Sequence, residues 1–197
     1  MKPYFEDNNI VIYHSDYREV IDSLEYDTII TDPPYGVYFN YNDEFVDNEK
    51  YFLENINYLI DTKKPLITTC SLTKLSIIPK PKWIGVWHKP LSKANYKNTV
   101  LYPHWEPILF YNIDQIIERS DVYQFNPSKN KKHPSPKPVE LYRELICNFK
   151  PKILLDPFMG SGTILRAAKD LNTKAIGIEI SEEYCEIAAE RMSQSVM

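Results

Sequence analysis

Glycine is scarce in this chain, with five residues among 197, against 15 prolines and 15 tyrosines. Glycine tolerates positive φ angles and the close approach of a ligand to the backbone, so the positions of so few glycines are informative. Gly36 closes an Asp-Pro-Pro-Tyr-Gly turn, Gly160 and Gly162 share one short loop, and Gly177 follows that loop. The sequence therefore offers two turns as the first candidates for a functional site.

Cysteine is also sparse, since the chain has three and no pair shows Cys-x-x-Cys spacing. This pattern excludes a disulfide framework, so we expect reduced thiols in a cytoplasmic protein, each a small core residue. It also predicts no metal site. No apolar run approaches the ~18 residues of a membrane span, and residues 1–9 are too polar and acidic for an N-terminal signal, so we expect neither.

Acidic side chains are missing from residues 62–105, which hold eight lysines, whereas residues 1–60 hold thirteen Asp and Glu and three Lys and Arg. The net charge of −4 argues weakly against nucleic acid. The asymmetry, with aromatic residues interleaved among the lysines, is nevertheless typical of a surface that binds a phosphate backbone. A solvated lysine face is the alternative. The predicted nucleic-acid contacts are Lys80, Lys82, Lys89, Lys93, Lys97 and Trp105.

Strand-like and helix-like segments alternate along the chain. The predicted strands are 11–13, 27–31, 65–69, 82–88, 106–112, 152–155 and 175–178. The predicted helices are 17–24, 48–60, 138–149 and 163–171, with a last helix capped by Ser181. This alternation predicts an α/β fold with a doubly wound, mostly parallel sheet in one domain, residues 1–197. Polar residues 112–132 are expected to form a short mobile insert.

For residues 152–180 the sequence predicts a strand, an Asp-Pro-Phe-Met-Gly-Ser-Gly-Thr loop, a helix and a second strand that ends near Glu179. Ligands of open α/β sheets bind at the carboxyl ends of strands, where Asp156 and Glu179 fall. An acid at the position of Glu179 can accept hydrogen bonds from ribose hydroxyls. The loop has neither G-x-G-x-x-G nor Gly-Lys-Ser/Thr, which favours a ribose-bearing ligand with few phosphates. An ordinary strand-to-helix turn is the alternative.

Asp32 follows the predicted strand 27–31, and Pro33 and Pro34 restrict the backbone after it. The Asp32 carboxylate and the Pro33 carbonyl can accept the two hydrogens of an amino group, while Tyr35 can stack on a planar ring. Two acceptors would localise the lone pair of an aromatic amine, which is otherwise a poor nucleophile. The alternative is a rigid turn without chemistry.

The chain resembles the S-adenosylmethionine-dependent DNA amino methyltransferases in three motifs and in their order. These motifs are Asp-Pro-Pro-Tyr, His-Pro-x-x-Lys-Pro and Asp-Pro-Phe-x-Gly-Ser-Gly-Thr. The resemblance runs over residues 11–191 and is greatest to their permuted β class, in which the catalytic half comes first. It implies a Rossmann-like methyltransferase fold with circularly permuted motif order. It also implies S-adenosylmethionine as cofactor and DNA as partner. A role in restriction-modification and a possible homodimer follow from the same resemblance. The implied catalytic residues are Asp32, Pro33, Pro34 and Tyr35. The implied cofactor residues are Asp16, Lys137, Asp156, Phe158, Gly160, Ser161, Gly162, Thr163 and Glu179.

The resemblance favours adenine N6 as the acceptor, because cytosine-N4 enzymes more often have Ser where this chain has Asp32. Cytosine N4, an RNA base, or a catalytically inactive nucleic-acid-binding regulator are the alternatives. Lys137 would face the methionine end of the cofactor, and Trp105 would lie beside the target base. The family usually inserts a target-recognition domain where this chain has only residues 112–132, which predicts short or relaxed recognition. Residues 70–105 or a second subunit could also supply the recognition of the DNA sequence.

Overall fold

The computed structural model describes residues 2–36, 48–90, 103–127 and 137–194, together with the backbone of 40–42 and 45–46. Lys93 and Lys97 lie outside the described residues. Among the described residues, no helix has the length and apolar character that crossing a bilayer requires.

Strands and helices alternate through most of the chain, close to the predicted bounds. The strands are β1 (Phe5–Glu6), β2 (Ile10–His14), β3 (Thr28–Thr31), β4 (Asn40–Asn42), β5 (Phe45–Val46), β6 (Leu66–Thr69), β7 (Trp83–His88), β8 (Trp105–Tyr111), β9 (Val122–Gln124), β10 (Ile153–Asp156) and β11 (Lys174–Glu179). The α-helices are α1 (Tyr17–Val20), α2 (Glu49–Asp61), α3 (Val139–Phe149), α4 (Thr163–Asp170) and α5 (Glu182–Ser193). Two short 3₁₀ helices cover Ile21–Ser23 and Leu72–Lys74. The first of them divides the predicted helix 17–24.

One sheet contains nine strands in the order β1-β2-β11-β10-β3-β6-β8-β7-β9. The central run of β2, β11, β10, β3 and β6 is parallel. β8 runs antiparallel to both β6 and β7, and β1 runs antiparallel to β2. The predicted doubly wound, mostly parallel α/β fold is therefore confirmed. β3 precedes β10 in the chain but lies beside it in the sheet, as the permuted motif order requires.

Apolar side chains cover both faces of the sheet, because neighbouring strand residues point to opposite sides. Ile30 and Leu154 pack with the apolar faces of α3, α4 and α5. Their chain neighbours Ile29 and Leu155 pack with those of α1 and α2 on the other face. The helices thus fill both sides of the sheet.

Two expectations from the sequence are corrected by the structure. Cys70 and Cys185 are buried as predicted, but Cys147 is exposed because it lies off the apolar face of α3. Within the segment 112–132, which we expected to be mobile, residues 122–124 form β9. β9 pairs in parallel with β7, and Tyr123 is buried against the core, which holds the middle of this segment on the sheet.

Candidate active site

The carboxyl ends of five parallel strands lie side by side at one edge of the sheet, in the order β2, β11, β10, β3 and β6. Adjacent strands lie about 4.8 Å apart, so polar groups at these ends form one row. In sheet order the row contains Asp16, Glu179, Asp156, Asp32 and Thr69. The proposed cofactor residues thus occupy one half of the row, and the Asp-Pro-Pro-Tyr turn begins the other half.

A hydrogen bond joins the two halves directly. Thr31 Oγ1, at the end of β3, donates to Asp156 Oδ1 at 2.7 Å. The two residues are 125 positions apart in the chain, but the parallel pairing of β3 with β10 brings their strand ends together. This contact places the starts of both turns at the same edge of the sheet.

Asp156 is almost fully buried, at 1% exposed, and its Oδ1 also accepts a hydrogen bond from Phe158 N at 3.2 Å. Burial raises the pKa of this carboxyl to about 7, although the donors Thr31 and Phe158 partly oppose the rise. Asp156 therefore holds the start of the glycine loop against β3, at the cost of burying a carboxyl group.

Asp156→Asn is expected to remove a pH-dependent loss of stability. The pKa of this carboxyl is about 7 in the folded protein and 3.8 ordinarily. Between those values the folded state keeps a proton that the unfolded state has released, so the free energy of unfolding falls as pH rises. An asparagine amide oxygen can accept the same two hydrogen bonds without carrying a charge.

Urea unfolding of wild type and Asp156→Asn over the same pH series measures this effect. We expect the stability of the variant relative to wild type to increase by roughly 2–4 kcal/mol between about pH 4 and about pH 8. A difference that stays constant across that interval would contradict a buried carboxyl with a raised pKa.

The glycine loop leaves room for a ligand at one defined point. Gly160 has a φ of +51°, and a Cβ added there would meet no atom within 4 Å. Gly162, with a φ of +76°, begins α4, and a Cβ there would lie 3.1 Å from Ala188 Cβ. Gly160 is thus the open part of the loop, whereas Gly162 packs against α5.

Glu179 is held in place by backbone groups of this loop and of the following helix. Its Oε2 accepts from Gly160 N and its Oε1 from Ser181 N, both at 2.9 Å. Burial raises the pKa of the carboxyl, while the backbone donors partly offset that rise. Each carboxylate oxygen has a further lone pair, so an oriented Glu179 can still accept hydrogen bonds from hydroxyl groups.

The other predicted cofactor residues, apart from Lys137, lie around the same loop. Asp16 caps α1 by accepting from Arg18 N at 2.9 Å. Phe158 packs edge-on against Tyr17, with ring centroids 5.0 Å apart. A group that sequence reasoning missed is the guanidinium of Arg191, which donates to Ser161 O and Thr163 Oγ1 at 3.3 and 3.1 Å. No local pattern around Arg191 pointed to this role.

In the Asp-Pro-Pro-Tyr turn, Asp32 is the centre of a dense hydrogen-bond network. Tyr35 Oη and Thr69 Oγ1 both donate to Asp32 Oδ1, and these two hydroxyl oxygens lie 2.8 Å from each other. Lys137 Nζ donates to both oxygens of Asp32, at 3.0 and 2.8 Å. Burial by itself would raise the pKa of Asp32, but the Lys137 charge and these hydrogen bonds bring it below its ordinary value.

Lys137 lies at this turn and not at the glycine loop, which differs from its predicted position beside the cofactor. Its side chain is 5% exposed, and Nζ lies 2.8 Å from Asp32 Oδ2 and 3.4 Å from Glu106 Oε2. Burial alone would lower the pKa of Lys137, but the charges of Asp32 and Glu106 raise it above its ordinary value. The ammonium group therefore stays protonated inside the site.

Three further polar residues surround this cluster, and the sequence assigned no role to them. Thr69 ends a predicted strand. Because ligands bind at the carboxyl ends of strands, this position could have identified Thr69 as a site residue. Glu106 follows Trp105, but nothing in the sequence around it indicated its pairing with Lys89 at 2.7 Å. Tyr142 Oη is buried and has no hydrogen-bond partner among the described residues, and burial raises its pKa well above the ordinary value.

The four predicted nucleic-acid contacts that the structure describes lie at two different edges of the sheet. Because β7 and β8 are antiparallel, His88 lies opposite Trp105 at the site edge and Trp83 lies opposite Phe110 at the far edge. Lys82 and Lys80 come just before Trp83, and Lys82 N bonds to Phe110 O at 2.8 Å. The six residues of β7 span about 20 Å. Lys80 and Lys82 therefore lie at the opposite edge of the sheet from Asp32.

Lys89 and Trp105 both lie at the site edge, but only one of them faces solvent. Lys89 is 3% exposed and forms a buried ion pair with Glu106, so it does not offer its ammonium group to a phosphate. Trp105 is 36% exposed at the first position of β8. Of the predicted nucleic-acid contacts that the structure describes, Trp105 alone is both exposed and close to the candidate active site.

A protein-family model described as DNA methylase matches residues 115–190, which include β9, β10, β11 and the glycine loop. The type II methyltransferase M.HpaI of Haemophilus parainfluenzae is 42% identical over 83 residues. That match covers 41% of this chain and 26% of the relative. The aligned region is thus about a quarter of the length of this relative.

The crystal structure of M1.HpyAVI in complex with SAM is similar over nearly the whole chain. It is 27% identical, with a TM-score of 0.67, and the match covers 92% of this chain and 99% of that one. The chain is thus similar to N6/N4 DNA methylases in sequence and in fold. The cytosine-N4-specific PvuII DNA methyltransferase, which is 14% identical with a TM-score of 0.74, shares the family's fold.

M.ScaI of Streptomyces caespitosus is a longer relative that aligns along most of this chain. The two are 21% identical over 271 aligned positions, which cover 97% of this chain and 84% of M.ScaI. The alignment is longer than the chain itself, so M.ScaI contains residues that have no counterpart here.

Proposed function

We propose that this chain transfers a methyl group from S-adenosylmethionine to the exocyclic N6 amino group of adenine in DNA. The observation that supports this most directly is the hydrogen bond from Thr31 to Asp156, which places the glycine loop beside the Asp-Pro-Pro-Tyr turn. Methyl transfer requires donor and acceptor sites that open into one space, because the two reacting atoms must meet in line.

The residues around the glycine loop fit the proposed cofactor. The space above Gly160 admits a ligand, and the oriented carboxylate of Glu179 would accept ribose hydroxyls. Asp16 lies at the neighbouring strand end, where the resemblance places the adenine ring of the cofactor. S-adenosylmethionine would supply an electrophilic methyl group on its sulfonium. The M1.HpyAVI relative is a complex with SAM, which supports the same assignment here.

The Asp-Pro-Pro-Tyr turn would bind the acceptor. In this proposal Asp32 and the Pro33 carbonyl accept the two amino hydrogens, which localises the lone pair on nitrogen. The carboxylate of Asp32 also stabilises the positive charge that develops on that nitrogen. A base in duplex DNA must first leave the stack, at a cost of a few kcal/mol. Trp105, exposed at the same edge, is the proposed contact beside the extruded base.

The choice of adenine rests on one residue. The family resemblance associates Asp at position 32 with adenine N6, and cytosine-N4 enzymes more often have Ser there. The fold does not separate the two substrates, because the cytosine-N4-specific PvuII enzyme has a similar structure. Direct identification of the methylated nucleoside is therefore the decisive experiment.

Unmethylated genomic DNA and total RNA are incubated separately with the protein and S-adenosylmethionine, digested to nucleosides and analysed by mass spectrometry. We expect N6-methyldeoxyadenosine from the DNA, and none in reactions without protein. N4-methyldeoxycytidine would keep the chemistry and change the acceptor base, and a methylated ribonucleoside would change the polymer. A protein that binds the cofactor but methylates neither substrate would contradict the proposed activity.

A further inference from the structure

The ammonium group of Lys137 occupies the position that the proposed function gives to the substrate. Lys137 Nζ donates to Asp32 Oδ1 and Oδ2, and it also contacts Tyr35 Oη at 3.0 Å. Asp32 is the group that would accept an amino hydrogen of the target base. A primary ammonium of the protein and the amino group of the base therefore compete for the same carboxylate.

Counting hydrogen bonds shows how direct this competition is. A carboxylate has about four lone-pair sites, two on each oxygen. Asp32 Oδ1 already has Tyr35, Thr69 and Lys137 as donors, and Oδ2 has Lys137. Among the described residues, these donors leave one lone-pair site on Oδ2, beside the lysine. An amino hydrogen of the base would therefore share Oδ2 with Lys137 unless the lysine moves away.

As long as Lys137 is paired with Asp32, its positive charge opposes methyl transfer, because it neutralises the carboxylate. Nitrogen becomes positive as the methyl bond forms, and a carboxylate stabilises that charge best when no other cation neutralises it. Lys137 cannot simply lose its partner, because an unpaired ammonium in a buried site is strongly destabilising. Its movement therefore requires a second acceptor within reach.

Glu106 provides that acceptor. Its Oε2 is buried, lies 3.4 Å from Lys137 Nζ and accepts no hydrogen bond from the described residues. Its Oε1 is held by Lys89 Nζ at 2.7 Å, so the carboxylate cannot rotate freely. A small displacement of the flexible Lys137 side chain would give Glu106 Oε2 its hydrogen bond and leave Asp32 uncompensated.

We propose that Lys137 is a positioning residue that alternates between Asp32 and Glu106, and that its transfer to Glu106 opens Asp32 to the amino group of the target base. This inference rests on the proposed function, because it needs an amino acceptor at Asp32. In the closed arrangement the site keeps its charges paired, and in the open arrangement Lys137 remains paired while Asp32 faces the substrate. Glu106 is the residue that makes the exchange possible.

The test is a double-mutant cycle on binding, with Lys137→Met, Glu106→Gln and the combined variant. Fluorescence anisotropy measures the affinity for a single-stranded deoxyadenylate oligomer, in which every base is a possible target. The control is an abasic oligomer of the same length, which has the phosphates but no base. Lys137→Gln replaces Lys137→Met if the methionine variant fails to fold by circular dichroism.

We expect Lys137→Met to bind the deoxyadenylate oligomer at least about threefold more tightly than wild type, because nothing competes for Asp32. Glu106→Gln should bind it at least about threefold more weakly, because the one acceptor oxygen of the amide stays on Lys89 and its NH2 group faces Lys137. Glu106→Gln should have no such effect when Lys137 is already absent, so the two changes are non-additive. Binding of the abasic oligomer should be the same in all four proteins.

Calorimetry with the cofactor distinguishes this role from the one that the sequence predicted. If Lys137→Met weakens cofactor binding about tenfold or more and leaves oligomer affinity unchanged, Lys137 serves the cofactor and the exchange is wrong. Additive effects of the two substitutions, or no preference for the base-containing oligomer in any variant, would also overturn it. Because the cycle measures binding, it can succeed or fail independently of whether a methylated nucleoside is found.

Discussion

Asp32→Ala is expected to lower the rate of methyl transfer by about 100-fold or more, at saturating DNA, with cofactor affinity within about twofold of wild type. The carboxylate is the group that would bind the amino hydrogens and stabilise the positive nitrogen. The glycine loop and Glu179 lie at neighbouring strand ends and keep their own contacts in this variant. Initial rates of methyl incorporation and calorimetry with the cofactor measure the two quantities separately.

Asp114→Ala is the matched control for this substitution. Asp114 is a fully exposed carboxylate that pairs with Lys82 at the far edge of the sheet, so its loss should leave the rate unchanged. Asp32→Asn adds a second comparison, because it removes the charge but keeps one acceptor oxygen beside Lys137. Retention of more than about a tenth of the wild-type rate by Asp32→Ala would be incompatible with the proposed role of the carboxylate.

Gly36→Ala is expected to destabilise the protein by roughly 2–4 kcal/mol and to disturb the turn that holds Asp32 and Tyr35. Gly36 has a φ of +67°, where a side chain is strained. An added Cβ would also lie 2.8 Å from both Glu49 Cα and Glu49 N, at the start of α2. These are backbone atoms of a packed helix, so they cannot yield as a flexible side chain would.

Gly160→Ala is the control that separates the clash of an added Cβ from the strain of a positive φ. Gly160 also has a positive φ, but its Cβ would meet nothing within 4 Å, so the variant should lose only about 1–2 kcal/mol. Urea unfolding of both variants measures the difference. Equal losses of stability would show that α2 does not constrain the Asp-Pro-Pro-Tyr turn in the way the structure indicates.

Much of the fold was predictable because its strands and helices have strong local signals. The segments around Ile29, Ile67 and Leu154 are short apolar runs, and both faces of the strands they form are buried. Asp32 and Asp156 could be placed at carboxyl ends because each follows such a run. Ligands of open α/β sheets meet these ends, and the hydrogen bond between Thr31 and Asp156 shows that the two strand ends lie at one edge.

The nucleic-acid surface was the weakest part of the prediction, for a physical reason. Charge clustering in sequence does not report the direction in which a strand runs. Lys82 and Lys89 are seven residues apart on either side of β7, yet the strand carries them to opposite edges of the sheet. Lys89 also turns inward to Glu106, a pairing that depends on β8 lying beside β7.

The sequence by itself determined the alternation of strands and helices, the order of the two site-forming turns, and the chemistry available in each turn. These properties depend on residue types and on spacings of a few positions, which local backbone preferences translate directly into structure. Tertiary structure alone decided that Lys137 pairs with Asp32, 105 residues away. It also decided that Glu106 lies beside Lys137 with an oxygen that accepts no hydrogen bond from the described residues. Such pairs form because separate strand ends and a helix start converge at one edge of the sheet, and no local pattern records that convergence.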